Sequence, residues 1–360
     1  MSRIETRTIS VAVTFFADLR RFLPRGADGP QRYALPDGAT VSDLLATIGI
    51  APDTDLTAAV DGELADRETR LRDGADVMLL SPMEGGAATT VERHYGRGPG
   101  LVDAIRRALA GMGKDPARLA PADLAPIDEF HLRGREATIE LAQRAKLAPG
   151  LRALDVGCGL GGSVRYLAAE HGCRATGLDL TPEYVDAALE LARMVKLDGA
   201  VSFRQGSALA LPFDAASFDI VWTEHAQMNI ADKRTFYAEI ARVLRPGGRL
   251  VFHDIFQGPA GPPHFPVPWA DEPSISHLQT PDEARARLAD VGLTVHDWVD
   301  ETVPSLAWFA ATVERLRATG SPPLGLHLLM GSNAKDKFAN MRRSLEERRI
   351  VVVQATAEKT

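Results

Sequence analysis

The stretch Asp155-Val-Gly-Cys-Gly-Leu-Gly-Gly162 decides the fold of this chain. It follows a mostly apolar run, residues 151–154, that is typical of a short buried strand, and it precedes residues 163–170, where apolar positions recur with helical spacing. A strand, a glycine-rich turn and a helix in this order form the context of a nucleotide-binding turn, because glycines permit the tight turn and let a ligand approach the backbone. A turn that binds nothing has the same local pattern.

An acidic residue stands where a nucleotide site needs one. Residues 175–178 predict a second strand that ends at Asp179, and a carboxylate about 20 residues beyond the turn can accept hydrogen bonds from ribose hydroxyls. Further strands are predicted at 217–222, 293–299 and 350–354. Residues 201–213 predict a third strand followed by a loop, and residues 243–252 predict a turn followed by the fifth strand. Pro246 ends a helix, and Gly247 and Gly248 make the turn into the fifth strand.

In order and spacing these segments resemble the class I S-adenosylmethionine-dependent methyltransferases, whose first motif runs acid-x-Gly-x-Gly-x-Gly. The resemblance implies an α/β fold with a seven-stranded, doubly wound, Rossmann-like sheet, S-adenosylmethionine as cofactor, and a small-molecule methyl acceptor. The cofactor-binding residues that it implies are Asp155, Gly157, Cys158, Gly159, Gly161, Asp179, Leu180, Ser207, Ala208 and Leu209. The family usually has an aspartate where this chain has Ser207, which weakens one contact to adenine.

The segment before the glycine-rich turn is a second candidate for the cofactor site. In the sarcosine/dimethylglycine and quinone-pathway methyltransferases, which this chain resembles, that segment closes over the cofactor. The resemblance implies that His131, Arg133 and Gly134 touch the methionine end or the substrate. An ordinary surface helix is the alternative. Residues 101–112 predict an amphipathic helix, whereas 115–126, rich in Ala, Pro and Asp, predict irregular structure.

The end of the fourth strand, Trp222-Thr-Glu-His-Ala-Gln-Met-Asn-Ile230, is where the acceptor should meet the methyl group. Methyl transfer needs chiefly positioning, and it needs a base only when the acceptor must lose a proton. His225 is the first candidate for a general base or orienting group, because its ordinary pKa lies near neutrality, and Glu224 is the second. A hydrogen bond from His225 to a backbone carbonyl is the plainer alternative. The substrate-binding candidates are Gln227, Asn229, Asp254 and Trp269.

Several classes of function are disfavoured. A net charge of −7 and the lack of an Asn/Asp-Pro-Pro-aromatic pattern after the fourth strand argue against nucleic acid. His225, His253, Asp254 and His264 have no tight ligand spacing, so no metal is predicted. No run of about 18 apolar residues predicts a membrane span. Two cysteines without a metal-ligand pattern fit a cytoplasmic protein. A homo-oligomer is left open.

The N-terminal segment predicts a separate small module. Strands are predicted at 8–16, 31–35, 56–60 and 76–80, with a helix at 41–48. Two strands, a helix and further strands in about 80 residues predict an antiparallel α+β sandwich. Residues 58–62 and 71–82, followed by Gly85 and Gly86, resemble the ubiquitin-like (β-grasp) sulfur carriers, the small subunit of molybdopterin synthase and the thiamine-pathway carrier.

The two glycines depart from the pattern of these carriers. The carriers use the free carboxylate of a terminal glycine, whereas in this chain Gly86 is followed by Ala87. Three interpretations stay open: a protease cuts after Gly86 and an adenylating enzyme then activates the carrier, the module is retained for positioning, or Gly85 and Gly86 are a linker turn. The predicted domains are 1–86, a linker and helical region at 87–126, and the methyltransferase domain at 127–360 with a helical insertion near 303–349. The rival hypothesis is a sulfur-carrier precursor whose methyltransferase-like half is regulatory.

Overall fold

The computed structural model describes residues 8–16, 22, 29–51, 54, 56–61, 63–80, 91–92, 94–96, 100–320, 322–331 and 333–360. The chain divides into two compact units, residues 1–90 and residues 91–360. Gly85 and Gly86 lie outside the described residues, so the structure does not test the predictions made for them. In the described ranges, no helix combines the length and the apolar character that crossing a membrane requires.

The N-terminal unit is a five-stranded sheet with one helix. Its strands are β1 (Thr8–Phe16), β2 (Gln31–Pro36), β3 (Thr57–Val60), β4 (Glu63–Ala65) and β5 (Asp76–Leu80), in the order β2-β1-β5-β3-β4. β1 pairs antiparallel with β2 and parallel with β5. Helix α1 (Val41–Ile48) begins with a capping box, in which Thr40 and Asp43 each satisfy a backbone N–H of the other. Alternate residues of β1 and one face of α1 form its apolar core.

The C-terminal unit contains a seven-stranded sheet. Its strands are β6 (Arg152–Val156), β7 (Arg174–Asp179), β8 (Val201–Gln205), β9 (Phe218–Glu224), β10 (Leu244–Gln257), β11 (Leu293–Asp300) and β12 (Ile350–Lys359). Their order is β11-β12-β10-β9-β6-β7-β8, with β12 antiparallel to both neighbours and the other pairs parallel. The chain leaves β6 toward β7 and later returns to β9 on its other side, so the ends of β6 and β9 flank the crevice where such sheets bind ligands.

Helices connect these strands and cover both faces of the sheet. They are α2 (Leu101–Gly111), α3 (Pro121–Asp128), α4 (Arg135–Arg144), α5 (Gly162–His171), α6 (Pro182–Met194), α7 (Lys233–Val243), α8 (Pro281–Asp290), α9 (Thr302–Thr319), α10 (His327–Met330) and α11 (Ala334–Glu346). Neighbouring residues of β9 enter different apolar clusters, Val221 one and Trp222 the other. Because successive strand residues point to opposite faces, both faces are buried. The predicted fold class of the sheet is confirmed.

The expectation of irregular structure at 115–126 was wrong. A short 3₁₀ turn, Pro116–Arg118, precedes helix α3. Pro121 stands at the start of α3, where a missing N–H costs nothing, and the Asp123 carboxylate accepts the N–H of Ala120 at 2.9 Å. Leu124 and Ile127 are fully buried, so packing supplies the stabilisation that the composition does not indicate.

Candidate active site

The glycine-rich turn between β6 and α5 has a conformation that requires glycine. Gly157, Gly159 and Gly161 have φ values of 81°, 50° and 80°. A Cβ on Gly157 would lie 2.6 Å from the Cβ of Ala226, and one on Gly161 would lie 2.4 Å from the Phe203 ring. At Gly159, by contrast, no atom lies within 4 Å of the Cβ position. The turn is therefore packed at both ends and open in the middle, as a backbone cradle for a ligand must be.

Asp179 ends β7 beside this turn. Its carboxylate accepts the backbone N–H of Gly159 at 2.8 Å and that of Thr181 at 2.9 Å. Each carboxylate oxygen has a further lone pair, so Asp179 can also accept from ribose hydroxyls. Burial raises the pKa of Asp179 above its ordinary value, and the two backbone donors oppose the shift. The predicted ribose contact thus lies directly against the cradle.

Asp155, the last acidic residue of β6, is 3% exposed. Burial raises its pKa well above the ordinary value, and the carboxylates of Glu224 and Asp179 raise it further. The two neighbouring carboxylates therefore disfavour the ionised form of Asp155. A cationic ligand at this edge would relieve that repulsion.

A buried ionic network joins the segment before β6 to the end of β9. His131 Nε2 lies 3.0 Å from Glu129 Oε2 and 3.5 Å from Glu224 Oε1. The hydroxyl of Thr138, which has one proton to donate, lies 2.9 Å from Glu129 Oε2 and 3.2 Å from Glu224 Oε1. All three charged side chains are about 5% exposed. The segment that the sequence predicts to close over the cofactor is thus held at the sheet edge.

Glu224 is fully engaged by donors. Its Oε2 accepts from the Ser163 hydroxyl at 2.5 Å and from the Trp222 indole N–H at 2.8 Å, in addition to the Thr138 bond to Oε1. A carboxylate with two donors of its own, a share of the Thr138 proton and an imidazole beside it has little capacity left to take a substrate proton. The geometry gives Glu224 a role in holding His131 and the start of α5 together.

His131 carries the proton of this network. Burial alone would lower its pKa, but Glu224 and Glu129 outweigh burial and raise the pKa to about 9. The folded protein therefore retains on His131 a proton that the unfolded chain releases near its ordinary value, about 6.5.

We expect this proton to make stability pH-dependent. A group whose pKa is raised in the folded state stabilises the fold fully at pH values below its pKa in the unfolded chain. This contribution to the free energy of unfolding, on the order of 3 kcal/mol, is lost as the pH rises from about 6.5 through about 9. Thermal melting from pH 6 to 10 measures the loss. In the His131→Gln variant the curve should flatten over this window. Parallel curves for the two proteins would contradict a protonated His131.

His225 begins the loop after β9 and has φ of 49°, a left-handed conformation that is unusual for histidine. Its backbone N–H donates to the carbonyl of His253 at 2.9 Å, and the two rings stack with centroids 5.0 Å apart. The His131 ring lies 5.9 Å away, edge on. Burial, then His253 and His131, lower the pKa of His225 well below its ordinary value, so its imidazole is neutral at neutral pH. Its Nε2 is buried without a hydrogen-bond partner.

Asp254 holds this loop from beneath. Its side chain is fully buried and accepts the backbone N–H groups of Ala226 at 3.1 Å, Gln227 at 3.2 Å and Ile255 at 2.8 Å. Burial raises its pKa to about 7, against these donors. Asp254 thus orients the loop that carries His225.

The other substrate-binding candidates also have partners within the protein. Gln227 accepts from Tyr237 at 2.7 Å and from Gln279 at 2.9 Å. Asn229 donates to the carbonyl groups of Trp269 at 2.8 Å and Ile275 at 2.9 Å. Trp269 is 1% exposed. These residues shape the wall behind the site.

Among the predicted cofactor residues, Arg133 forms ion pairs with glutamates of the protein. Its guanidinium binds Glu140 at 2.6 Å, Glu301 at 2.7 Å and Glu136 at 3.0 Å. Gly134, with φ of 48°, turns the chain into α4. Cys158 is buried inside the glycine-rich turn, and its backbone N–H donates to the Leu178 carbonyl at 3.0 Å.

The adenine side of the site is partly open. Leu180, Ser207, Ala208 and Leu209 are half-buried at the ends of β7 and β8. Ser207 caps its own turn, because its hydroxyl accepts the N–H of Leu209 at 3.1 Å. The hydroxyl oxygen has a second lone pair, so it can still accept from the exocyclic amine of adenine, as its predicted role requires.

Sequence reasoning missed the residues that tie the site together. Glu129, Thr138 and Ser163 were not candidates, although Ser163 directly follows the glycine-rich turn. Asp128 and Arg165 form a buried ion pair at 2.6 Å that fixes the preceding segment to α5. No spacing rule predicts contacts between segments 37 residues apart.

Comparison with known protein families identifies both units. Residues 154–252 match the methyltransferase domain family, and residues 13–86 match the ThiS family. Among curated relatives, an O-methyltransferase of Aspergillus nomiae is 30% identical over 174 residues, which is 48% of this chain and 77% of the relative. A sarcosine/dimethylglycine N-methyltransferase of Halorhodospira halochloris is 29% identical over 50% of this chain and 64% of the relative.

Other relatives match over shorter stretches. A 2-methyl-6-phytyl-1,4-hydroquinone methyltransferase of Synechocystis is 44% identical over 108 residues, 30% of this chain and only 33% of the relative. For a tocopherol O-methyltransferase of Oryza sativa, described as probable, the match spans 27% of each protein. The likeness to these two proteins therefore covers a third of their length or less.

A solved structure shows the same fold. The geranyl diphosphate C-methyltransferase of Streptomyces coelicolor, in complex with S-adenosyl-L-homocysteine, superposes with a TM-score of 0.56 at 22% identity, covering 76% of this chain and 98% of that one. The predicted resemblance is confirmed: the chain belongs to the methyltransferase family and carries a ThiS-type domain at its N-terminus.

Proposed function

We propose that the C-terminal unit transfers a methyl group from S-adenosylmethionine to a small-molecule acceptor. The observation that carries this proposal is the pairing of the open cradle at Gly159 with the Asp179 carboxylate. A glycine without side-chain neighbours, at the carboxyl edge of a doubly wound sheet and beside a buried carboxylate, suits a nucleoside.

The residues present fit such a cofactor. The backbone of Gly157, Gly159 and Gly161 offers close approach, and Asp179 can hold ribose hydroxyls. Asp155 lies among carboxylates whose repulsion a positively charged ligand would relieve. When bound, S-adenosylmethionine supplies a methyl group on a sulfonium that is already a good leaving group.

The protein's own part is then to position the acceptor and to exclude water. Asp254 fixes the loop after β9, and the Glu129–His131–Glu224 network holds the preceding segment against it. His225, neutral and next to the cradle through Ala226, is placed to take a proton or to orient the acceptor. We propose His225 as the catalytic residue and assign Glu224 to positioning.

Calorimetric titration with S-adenosylhomocysteine, the product of every such reaction, tests this function. We expect measurable, saturable binding at one site per chain. No binding to the unaltered protein would contradict the proposal and favour the alternative, a sulfur-carrier precursor with a regulatory second half. Transfer of an isotopically labelled methyl group into an extract of small molecules, followed by mass spectrometry, would then identify the acceptor.

We further propose that the N-terminal unit is a sulfur-carrier module. Its strand order, with a parallel pair formed by β1 and β5, and its match to the ThiS family support this. Release by a protease after Gly86 and activation by an adenylating enzyme belong to this proposal, as do the domain boundaries at 86 and 126. A homo-oligomer and a cytoplasmic location remain predictions.

The intact mass of the protein from its native host tests the carrier proposal. Fragments that meet at Gly86 and Ala87, particularly with one oxygen replaced by sulfur, would support a processed carrier. A single uncut chain would contradict processing and leave the module as a permanent part of the enzyme.

One hypothesis joins the two units: the carrier delivers sulfur into a metabolite that the methyltransferase unit then methylates. The presence of both units in one chain motivates it. Replacing both Gly85 and Gly86 should abolish the methylated sulfur product in cells. An unchanged product would contradict the link while leaving methyl transfer itself intact.

A further inference from the structure

A cleft of about 350 Å³ lies in the C-terminal unit, away from the glycine-rich turn. Its walls are residues 257–259 at the end of β10, the first part of α8, and residues of β11 and β12. In the sheet order, β9 separates these strands from β6 and β7, which carry the glycine-rich turn and Asp179. Small-molecule sites have volumes of about 300–1,000 Å³. The cleft is therefore large enough for a ligand of its own.

Much of the lining of this cleft is apolar. Val351 and Val353 of β12 are 5% and 1% exposed, and the half-buried Trp298 of the neighbouring strand β11 lines the same cleft. Pro259 and Pro281 add further apolar surface. Such a lining favours a ligand with an aromatic or hydrocarbon body, because that body is stabilised when it leaves water.

Arg285 brings a cation to this apolar lining. Its guanidinium carbon lies over the ring of Trp298, 4.3 Å from the ring centroid. The cation–π attraction holds the guanidinium in place and uses none of its N–H groups. One N–H donates to Asp282 at 3.2 Å. A guanidinium has five N–H donors, so Arg285 can keep this aspartate and also bind a ligand carboxylate.

Arg348 supplies a second cation to the cleft. Among the described residues, its guanidinium has one ionic neighbour, Asp300, at 3.8 Å, which is too long for a hydrogen bond. The backbone of Arg348 is left-handed, with φ of 55°, in the turn that follows α11. Glycine is the usual residue at such a helix end, because its backbone is not strained there. The chain thus places a guanidinium beside the cleft against the preference of the backbone.

The backbone that carries Arg348 is fixed against the end of β10. The carbonyl oxygen of Arg349 accepts the N–H of Gly258 at 2.7 Å. A Cβ on Gly258 would lie 2.1 Å from the carbonyl oxygen of Arg348, so glycine is required for this close approach. Because the backbone is already in place, binding a ligand needs to order only the side chain of Arg348, which lowers the entropic cost of binding.

We propose that this cleft binds a small aromatic carboxylate, and that this site is separate from the proposed cofactor and acceptor sites. The aromatic ring packs against the apolar lining formed by Trp298, Val351 and Val353. The carboxylate accepts hydrogen bonds from the guanidinium groups of Arg285 and Arg348, in the planar geometry that arginine favours. The site goes beyond methyl transfer, since it lies outside the residues assigned to that reaction.

Calorimetric titration of the full chain with 2-naphthoate tests this proposal. We expect saturable binding at one site per chain. The neutral amide 2-naphthamide has nearly the same shape without the charge, and it should bind at least tenfold more weakly, about 1.4 kcal/mol. Saturating S-adenosylhomocysteine should leave the naphthoate affinity unchanged, because the two ligands occupy different places.

The Arg348→Gly variant removes one guanidinium and gives the left-handed position the residue that it favours. It should be at least as stable as the unaltered protein in a denaturant titration, yet bind naphthoate at least tenfold more weakly. Arg285→Gln should weaken binding in the same direction. The matched control is Lys196→Gly, because Lys196 is an exposed cation with φ of 60° in the turn after α6 and does not line the cleft. It should bind naphthoate like the unaltered protein.

Four results would each overturn the proposal: no naphthoate binding, equal binding of the amide, displacement of naphthoate by S-adenosylhomocysteine, or unchanged naphthoate affinity in Arg348→Gly. A loss of affinity in Lys196→Gly equal to that in Arg348→Gly would also overturn it, because the effect would then follow the net charge of the protein. If S-adenosylhomocysteine itself does not bind, the methyltransferase function is contradicted while the naphthoate titrations still decide the proposal for the cleft.

Discussion

The Asp179→Ala variant should bind S-adenosylhomocysteine at least a hundredfold more weakly than the unaltered protein. Hydrogen bonds to a charged group contribute about 1.5–3 kcal/mol each. The substitution removes the predicted ribose contacts and also releases the N–H of Gly159, which the carboxylate fixes at 2.8 Å. Two such losses amount to about 3 kcal/mol or more, and every 1.4 kcal/mol is a factor of ten in affinity.

Calorimetry on matched variants separates this effect from general damage. Asp179→Asn keeps one acceptor oxygen and should fall between the two proteins. Asp186→Ala is the control, because Asp186 is an exposed aspartate on the following helix α6. A loss smaller than fivefold in Asp179→Ala would show that the nucleoside does not lie on this carboxylate.

The sequence predicts the scaffold because its signals are local. The glycine pattern, the acid at the end of β7 and the alternation in β1 each report on neighbours in the chain. Helix α1 has the predicted bounds, 41–48, and the structure shows Thr40 as the residue that caps its start. The position of the site at the ends of β6, β7 and β9 follows from the same local signals.

The arrangement of side chains within the site depends on contacts between residues that are far apart in the chain, and the sequence pattern does not predict these contacts. His131 lies beside the end of β9, but its protonation depends on Glu129 and Glu224, one of them on a strand far along the chain. Arg133, only two residues from His131, turns to Glu140 and Glu301 instead. Neighbouring residues on a tight turn point in different directions, and only tertiary packing decides which one faces the ligand.

Helix α3 illustrates a second limit. The composition of 115–126 favours irregular structure, because Pro and Asp are poor residues for helix interiors. The helix forms anyway, since Leu124 and Ile127 gain more from burial than the propensity costs. Burial of apolar side chains can therefore override the low helix propensity of a short segment that lies between two packed elements.

The second large effect is expected from Gly157→Ala. A left-handed backbone costs an alanine about 1–2 kcal/mol. The new Cβ would also lie 2.6 Å from the Cβ of Ala226, which cannot rotate away because it is fixed to the backbone. Overpacking of this kind costs about 1–3 kcal/mol. We therefore expect a loss of roughly 3 kcal/mol in the free energy of unfolding, measured by denaturant titration, together with loss of S-adenosylhomocysteine binding.

Two further variants divide this loss into strain and contact. Gly150 has a similar φ of 84° with no atom within 4 Å of its Cβ position, so Gly150→Ala should lose only the backbone term, about 1–2 kcal/mol. Adding Ala226→Gly to Gly157→Ala removes the clashing atom and should recover stability beyond the sum of the single effects. Recovery of S-adenosylhomocysteine binding in the double variant would show that the contact with Ala226, rather than strain at Gly157, prevents binding. Simple additivity of the two substitutions would show that backbone strain at Gly157 accounts for the whole effect.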